Sequence, residues 1–353
     1  MDVRFRPMAK TEEDLALYRA AFERNGSPRT IEHLRWQFLK NPTGRLNVEF
    51  ALTPDEQRLA AIYAVMSIDL KVGDSVMPAC QSLDTLTDVD FRGKGLFVRM
   101  AKATFGRAAD EQNACVYGFP NGNSAHGFFE RLGWTRLDPV PFLIKPLRLN
   151  YVLRKLPRLG AKLAGLPSIP VSRVRSPSLP GHRELRAVLR FDGAFDELWS
   201  EFSSGIRAAI NRDAKYLNWR LVEKPNEHYS RVALFENGRL RGFIAWAVKA
   251  KHGGSVGYVM ELMHAPTEPE VGRVLLQHAL AEMKSSGAEV VLAWCLEHAP
   301  NYEAFRANGF FTLPERLRPI ELHVGVRSLS APPSANLGNR FNWYFSYLDS
   351  DTV

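Results

Sequence analysis

A chain of 353 residues exceeds the usual size of one small domain, so two domains are the natural expectation. Its formal charge of +8, with 46 Lys and Arg against 38 Asp and Glu, favours anionic partners such as coenzyme phosphates, nucleic acid or an acidic membrane face. Cys80, Cys115 and Cys295 are odd in number and lack CxxC spacing, which argues against a disulfide framework or a thiolate metal site and suits a reducing cytoplasm.

The N-terminus carries charge where a signal peptide carries an apolar run, and no uncharged apolar stretch is long enough to predict a spanning helix. Thr11 followed by Glu12, Glu13 and Asp14 predicts a helix start, with Leu15, Leu17, Tyr18, Ala21 and Phe22 as its buried stripe. Ile31, Leu34, Trp36 and Phe38 predict a second helix, stopped by Asn41-Pro42-Thr43-Gly44. Segments 47–53, 58–69 and 76–87 read as strands. A helix after Gly95 to about residue 110, a strand over 114–118, a helix over 124–132 and a strand from Trp134 complete an α/β sandwich.

Residues 147–180 break the pattern with seven Lys or Arg, no acidic residue and prolines at 157, 167, 170, 177 and 180. They read as a basic connector, or as a peripheral membrane contact within 148–163 through Tyr151, Val152, Leu153, Leu156, Leu159 and Leu163. Beyond it the chain repeats itself. Leu217, Trp219, Leu221 and Pro225 reproduce Leu34, Trp36, Phe38 and Pro42 at a constant offset of 183. A strand over 231–235, the turn Glu236-Asn237-Gly238, strands over 240–248 and 255–263, a helix over 270–285 and a strand over 288–295 follow in the same order, predicting two copies of one fold.

Arg92-Gly93-Lys94-Gly95-Leu96-Phe97 lies between the third strand and the following helix. Its glycines allow a tight turn and close approach to a ligand, and the amides opening the helix face a phosphate. It lacks the GxxxxGK[ST] and GxGxxG patterns of nucleotide loops. The strand, this turn, the helix, the strand ending at Gly118 and Phe128-Phe129-Glu130-Arg131-Leu132-Gly133-Trp134 resemble the GCN5-related N-acetyltransferase (GNAT) superfamily, whose [Q/R]xxGx[G/A] signature is matched by Arg92, Gly95 and, in the usually small last position, Phe97. The resemblance covers residues 45–145 well and 183–325 as a fold-level echo.

The resemblance implies two tandem acyl-CoA N-acyltransferase-like domains, each a mixed, mostly antiparallel sheet flanked by helices: 1–146, then 183–330 as a degenerate copy, with the connector 147–182 between and a tail 331–353. It implies acetyl-CoA or another acyl-CoA as cosubstrate, held by Arg92, Gly93, Lys94, Gly95, Leu96 and Phe97, with pantetheine beside Leu86 and Thr87. Asn123 either touches the coenzyme arm or forms an Asx turn. Asp84 is the candidate base, with Asp88 and Asp90 beside it, and His126 is within plausible reach of the thioester. Phe129 stands where many members carry a tyrosine acid, leaving Tyr117 or water for that role. Prolines and glutamates replace the RGKG turn in the second copy, which therefore completes the acceptor site or serves as scaffold.

His264, His278 and His298 lack metal-ligand spacing, so no metal is expected. The aromatic tail Asn339–Asp351 suits either stacking on a sugar or sealing the two copies together. The expectation is an N-acyltransferase acting on a small-molecule amine or amino sugar, or alternatively a non-catalytic acyl-CoA-binding protein. It is expected to be cytoplasmic or at the inner membrane face, without nucleic acid, the oligomeric state being left open.

Overall fold

In the computed structural model, which describes residues 3–149, 151, 169–172, 174–318 and 320–350, the chain begins with β1 (Arg4–Pro7) and α1 (Glu12–Arg24). The Thr11 hydroxyl accepts from the Asp14 amide at 3.3 Å, and Leu15, Tyr18, Ala21 and Phe22 form the buried face. Thr30 caps α2 (Ile31–Leu34) in the same way, and α2 continues as a π-helical turn over Arg35–Leu39. The antiparallel strands β2 (Asn47–Leu52), β3 (Leu59–Val72) and β4 (Ser75–Thr87) lead into α3 (Leu96–Asp110). Then come β5 (Cys115–Gly118), parallel to β4, α4 (Gly122–His126) with a π-helical turn to Arg131, and β6 (Thr135–Arg136). Strand alternation works on both faces: Ala61, Tyr63 and Val65 pack with α3, while Ile62 and Ala64 pack with α1.

The first half ends in β7 (Phe142–Pro146), and the second half repeats this order. It comprises β8 (Arg183–Ala187), α5 (Gly193–Phe202), β9 (Ala208–Ile210) and α6 (Ala214–Leu221). It continues through β10 (Ser230–Glu236), β11 (Arg239–Lys251), β12 (Gly254–His264), α7 (Pro269–Ser285), β13 (Val290–Trp294), α8 (Tyr302–Ala307), β14 (Phe311–Thr312) and β15 (Gly325–Ser328). The β10–β11 hairpin turns on Asn237 and Gly238, both at positive φ, as the Asn-Gly pair predicts.

The linear boundaries at 146 and 330 do not separate the two sheets. One sheet runs β1-β2-β3-β4-β5-β15-β6 with β9 on the far end of β3, and the other runs β14-β7-β13-β12-β11-β10-β8. Each half thus surrenders its last strand to the other: β7 lies between β13 and β14, and β15 between β5 and β6. The helix-and-strand order of each half was legible, but which sheet a short terminal strand joins is a tertiary choice.

The halves meet on the landmark that revealed the repeat. Trp36 and Trp219 stack with ring centroids 4.5 Å apart, and the indole N–H of each donates to the other's carbonyl, at 2.8 and 3.0 Å. Such reciprocity is the signature of a local two-fold axis. The tail seals the junction: Trp343, Tyr344, Phe345 and Tyr347 are buried, which favours the interface account over sugar stacking and leaves Phe341 as the exposed ring. In the connector, Tyr151 is buried; Val152, Leu153, Leu156, Leu159 and Leu163, invoked for a membrane contact, lie outside the described residues. Among the described residues no helix is long and apolar enough to cross a membrane.

Because the sheets exchange strands, loss of the tryptophan pair is felt by both. Trp219→Ala is expected to cost about 3–5 kcal/mol, as for other buried aromatics. Denaturant unfolding followed by circular dichroism is expected to remain one shifted transition; two separated transitions would show that the halves unfold independently.

Candidate active site

The turn before α3 has the open backbone shape expected of an anion cradle. Gly93 and Gly95 adopt φ of 76° and 70°, and Gly95 is the N-cap of α3 with no side-chain cap. The first helical bond runs from the Arg99 amide to the Gly95 carbonyl, so the amides of Leu96, Phe97 and Val98 precede the helical ladder. Arg92 and Lys94 are exposed at the rim, where Arg92 Nε donates to the Thr87 carbonyl at 3.4 Å and Lys94 Nζ to the Asp90 carbonyl at 3.3 Å. The Phe97 ring turns inward, edge-on to Phe128 at 5.4 Å, over Gly127, where a Cβ would stand 2.8 Å from it. The missing side chain at Gly127, which opens the π-helical turn after α4, therefore accommodates the aromatic at the signature's last position.

Beside the cradle the sheet opens. The parallel pairing of β4 and β5 ends at Ser82 opposite Gly118, and a bulge in β4 follows at once, between Ser82 and Thr85. The resulting cleft has a volume of about 580 Å³, walled by Ser82 to Leu86 on one side and Gly118 to Asn121 on the other, with Phe128 and Trp134 also lining it. Asn123 lies at this cleft, whereas the Asx cap of α4 is made by Asn121, whose side chain accepts from the Ser124 amide at 3.1 Å.

Of the four anticipated catalytic side chains, Asp84 alone lines the cleft. Its oxygens accept from Tyr18 and Arg29, each at 2.9 Å. Asp88 is instead a fully buried structural anchor: it caps the Val89–Phe91 turn and pairs with Arg24 and Arg58. Burial opposes its charge, but the Asp90 amide, Arg58 and Asn25 outweigh burial and hold its pKa below the ordinary carboxylate value. Asp90 pairs with Arg58 at 2.7 Å. Tyr117 faces away into the junction between the halves, packed on Trp343 and Phe345, and burial pushes its phenol pKa far up. His126 is exposed and does not line the cleft. Phe129 packs on Arg136 and against β15 at Gly325, so its neighbour Phe128 is the ring that lines the cleft. The hydroxyls lining this cleft come from serine and threonine, at Ser27, Ser82, Thr85 and Ser124.

A second cavity, about 450 Å³, lies between the halves and is lined by Arg29, Thr30, His33, Gln37, Leu83, Asp84, Lys224 and Glu227 among others. It shares Arg29, Leu83 and Asp84 with the cleft, so the two openings meet at the β4 bulge. His33 Nε2 is 3.0 Å from Gln37 Oε1. Burial, helped by Lys224, lowers the His33 pKa against the opposing pull of Asp84, so the neutral ring predominates at neutral pH. Sequence reading missed Tyr18, Arg29, His33, Gln37, Arg220 and Lys224. The repeat carried a signal for some of them: at the offset of 183, Arg29 matches Arg212, Gln37 matches Arg220, and the caps Thr30 and Asp213 coincide.

The second half preserves this frame but closes it. Glu261 follows the last parallel pair of β12 and β13 just as Asp84 follows that of β4 and β5, and Arg212 binds it at 2.7 Å. There the tail enters: Tyr344 and Ser346 donate to Glu261, Asn301 donates to Tyr344 at 3.1 Å, and Asp349 binds Arg212 at 2.7 Å. Burial works against the Arg212 charge, and Asp349 and Glu261 outweigh it and raise its pKa. The N-terminus of α7 begins with Pro269, preceded by Glu268 on Arg241. A missing amide and two acidic residues oppose phosphate there. Among the described residues no cluster suited to a metal ion occurs.

Residues 3–137 match the profile described as the acetyltransferase (GNAT) domain. The fold as a whole matches solved structures at low identity. Saccharomyces cerevisiae N-myristoyltransferase with bound myristoyl-CoA aligns at TM-score 0.60 and 11% identity, over 92% of this chain and 82% of that one. A conserved Enterococcus faecalis V583 protein of unknown function aligns at 0.61 and 12%, over 94% and 74%, and a GCN5-related N-acetyltransferase from Anabaena variabilis at 0.59 and 11%, over 92% and 73%. No curated protein sequence matches the chain. The architecture is a tandem pair of GNAT-like α/β sheets.

Gly95→Asp tests the cradle directly, since it places a strained residue and a negative charge at the helix N-terminus. Coenzyme A affinity measured by calorimetry is expected to fall about tenfold or more, with the far-ultraviolet spectrum unchanged. Unaltered affinity in a folded variant would place the coenzyme elsewhere.

Proposed function

We propose that this protein is an acyl-CoA-dependent N-acyltransferase for an amine of a small metabolite or amino sugar, with one working coenzyme site, in the first half. The observation that carries the reading is the meeting of two cavities at Asp84: a cleft beside the phosphate cradle, and a polar pocket between the halves. Leu96, Phe97 and Val98 amides with Arg92 would hold the pyrophosphate, and the β4 edge from Ser82 to Thr87 with Asn123 would line the pantetheine arm. Acyl-CoA bound there supplies an activated thioester carbon.

The acceptor enters from the other side. Asp84, held in place by Tyr18 and Arg29, offers the remaining lone pairs of its carboxylate at the bulge as hydrogen-bond acceptors that position the ammonium. His33, neutral and lining the same pocket, takes the proton. The freed nitrogen then bonds to the acyl carbon as the carbon–sulfur bond breaks; sulfur leaves with the electron pair and takes up the proton that the newly acylated nitrogen sheds, giving the amide and the coenzyme A thiol. The second half is a degenerate copy whose catalytic frame is filled by the tail, and its α6 and the following turn wall the acceptor pocket through Arg220, Lys224 and Glu227.

Incubation with acetyl-CoA or longer acyl-CoAs and pooled amines, followed by free-thiol release and product mass spectrometry, tests the activity. Tight coenzyme binding without amine-dependent turnover would establish the alternative, a binding module. For the residues, kcat with saturating acceptor is expected to rise on an acid limb below the ordinary histidine range, because a base must be deprotonated and burial lowers the His33 pKa. His33→Asn is expected to remove that limb and lower kcat by roughly 10²-fold or more. Asp84→Asn is expected to raise the acceptor KM more than it alters coenzyme affinity. A limb that survives in His33→Asn would assign the proton to another group.

A further inference from the structure

The acceptor pocket narrows to a deep end lined by Trp36, Gln37, Gln81, Arg220, Lys224 and Asp349. It lies beside the reciprocal tryptophan pair, and Gln37 and Arg220 are the residues that immediately follow Trp36 and Trp219 in their respective copies. Arg220 is 3% exposed, its Nε donates to the Leu348 carbonyl at 3.2 Å, and one terminal nitrogen donates to the Ser350 carbonyl. Its other terminal nitrogen has no hydrogen-bond partner, and Arg220 makes no ion pair among the described residues. Gln37 Nε2, in the same wall and 5% exposed at the residue level, is likewise unpartnered, because the Gln37 oxygen is the atom that faces His33.

Among the described residues no carboxylate is ion-paired with Arg220, and the nearest to act on it, Glu227, interacts through space with both Arg220 and Lys224. Asp84 is bound by Arg29 at 2.9 Å, Glu227 by Lys249 at 2.5 Å and Asp349 by Arg212 at 2.7 Å. Lys224 adds a second cation to the wall, 4.0 Å from Glu227. A buried guanidinium with one terminal nitrogen left without a hydrogen bond, no ion-paired carboxylate among the described residues and an unpartnered amide donor beside it gains from an anion that completes it. A planar anion with two oxygens fits that pair of donors.

We propose that this deep end is a carboxylate subsite, so that the acceptor is an amine that also carries a carboxylate: the ammonium lies at Asp84, where the pocket meets the thioester cleft, and the carboxylate lies between Arg220 and Gln37, beside Lys224. This assignment rests on the acyltransferase reading for the position of the amine, whereas the carboxylate subsite itself stands on the polar wall. The opposite ends of the pocket thereby select a zwitterion and orient its nitrogen toward the bulge.

The test compares α- and ω-amino acids with their carboxamides and with the corresponding amines lacking the carboxyl group, using the full-length protein and acyl-CoA. The carboxylated member of at least one matched set is expected to show a KM at least about tenfold below its carboxamide, the scale of a charge-assisted bond. Lys224→Met and Arg220→Met are expected to erase that difference while coenzyme A affinity stays unchanged, and Arg220→Lys to restore part of it. Because Arg220 also holds the chain near Leu348 and Ser350, Lys224→Met is the variant that decides if Arg220→Met fails to fold. Equal use of carboxamides and carboxylates, with acyl transfer otherwise intact, overturns the subsite and spares the acyltransferase reading. If no amine is acylated, quenching of tryptophan fluorescence by the same amino acids reads the subsite alone: saturable binding lost in Lys224→Met upholds it, and absence of binding overturns it.

Discussion

The contact on which the molecule turns is the reciprocal pair of Trp36 and Trp219. Two indoles stack, and each closes its N–H on the other's backbone carbonyl, so neither buried donor is left unmet. That geometry brings α2 and α6 together about a local two-fold axis and sets the floor of the pocket between the halves. Exchange of β7 and β15 locks the same relation at the far ends of the sheets. The junction matters for the proposed chemistry, because the pocket between the halves takes residues from both while the turn before α3 belongs to one.

The two halves share the same frame, and the differences between them are local. In the first, the Arg29–Asp84 pair borders two open cavities. In the second, the equivalent Arg212–Glu261 pair is wrapped by Tyr344, Ser346 and Asp349 and is fully buried. The tail thus satisfies charges that would otherwise be stranded in an apolar junction, and it does so with hydroxyl groups and one further carboxylate. The same segment supplies the aromatic rings that close the junction, so its composition is explained without a sugar ligand.

The placement of candidate catalytic groups follows from strand alternation and from the bulge. Tyr117 sits on β5 with its side chain on the junction face, one residue before Gly118 opens the cleft. Asp88 lies four residues beyond Asp84, but it has passed the cleft and been drawn into the ion pairs that hold the turn. Asp84 escapes both fates because the bulge turns β4 where its partner strand leaves. His33, on a helix from a distant part of the chain, joins it only because α2 packs across that opening.

Much of the architecture was written locally. Alternating apolar residues, the Asn237-Gly238 turn, the threonine caps and the glycines flanking Lys94 each specify backbone geometry within a few residues, and the repeat at an offset of 183 announced two copies. The backbone of the turn before α3 was legible for the same reason, since Gly93 and Gly95 are the residues that adopt positive φ most readily and both do. What tertiary structure alone decided were the exchange of β7 and β15, the burial of Tyr117 and Asp88, and the convergence of His33, Gln37, Asp84, Arg220 and Lys224. Strand exchange leaves no local mark, since a terminal strand has the same pattern in either sheet. The pocket is likewise a product of packing: its charges are set by which residues find partners, and a guanidinium reads alike in sequence whether it is paired or waiting.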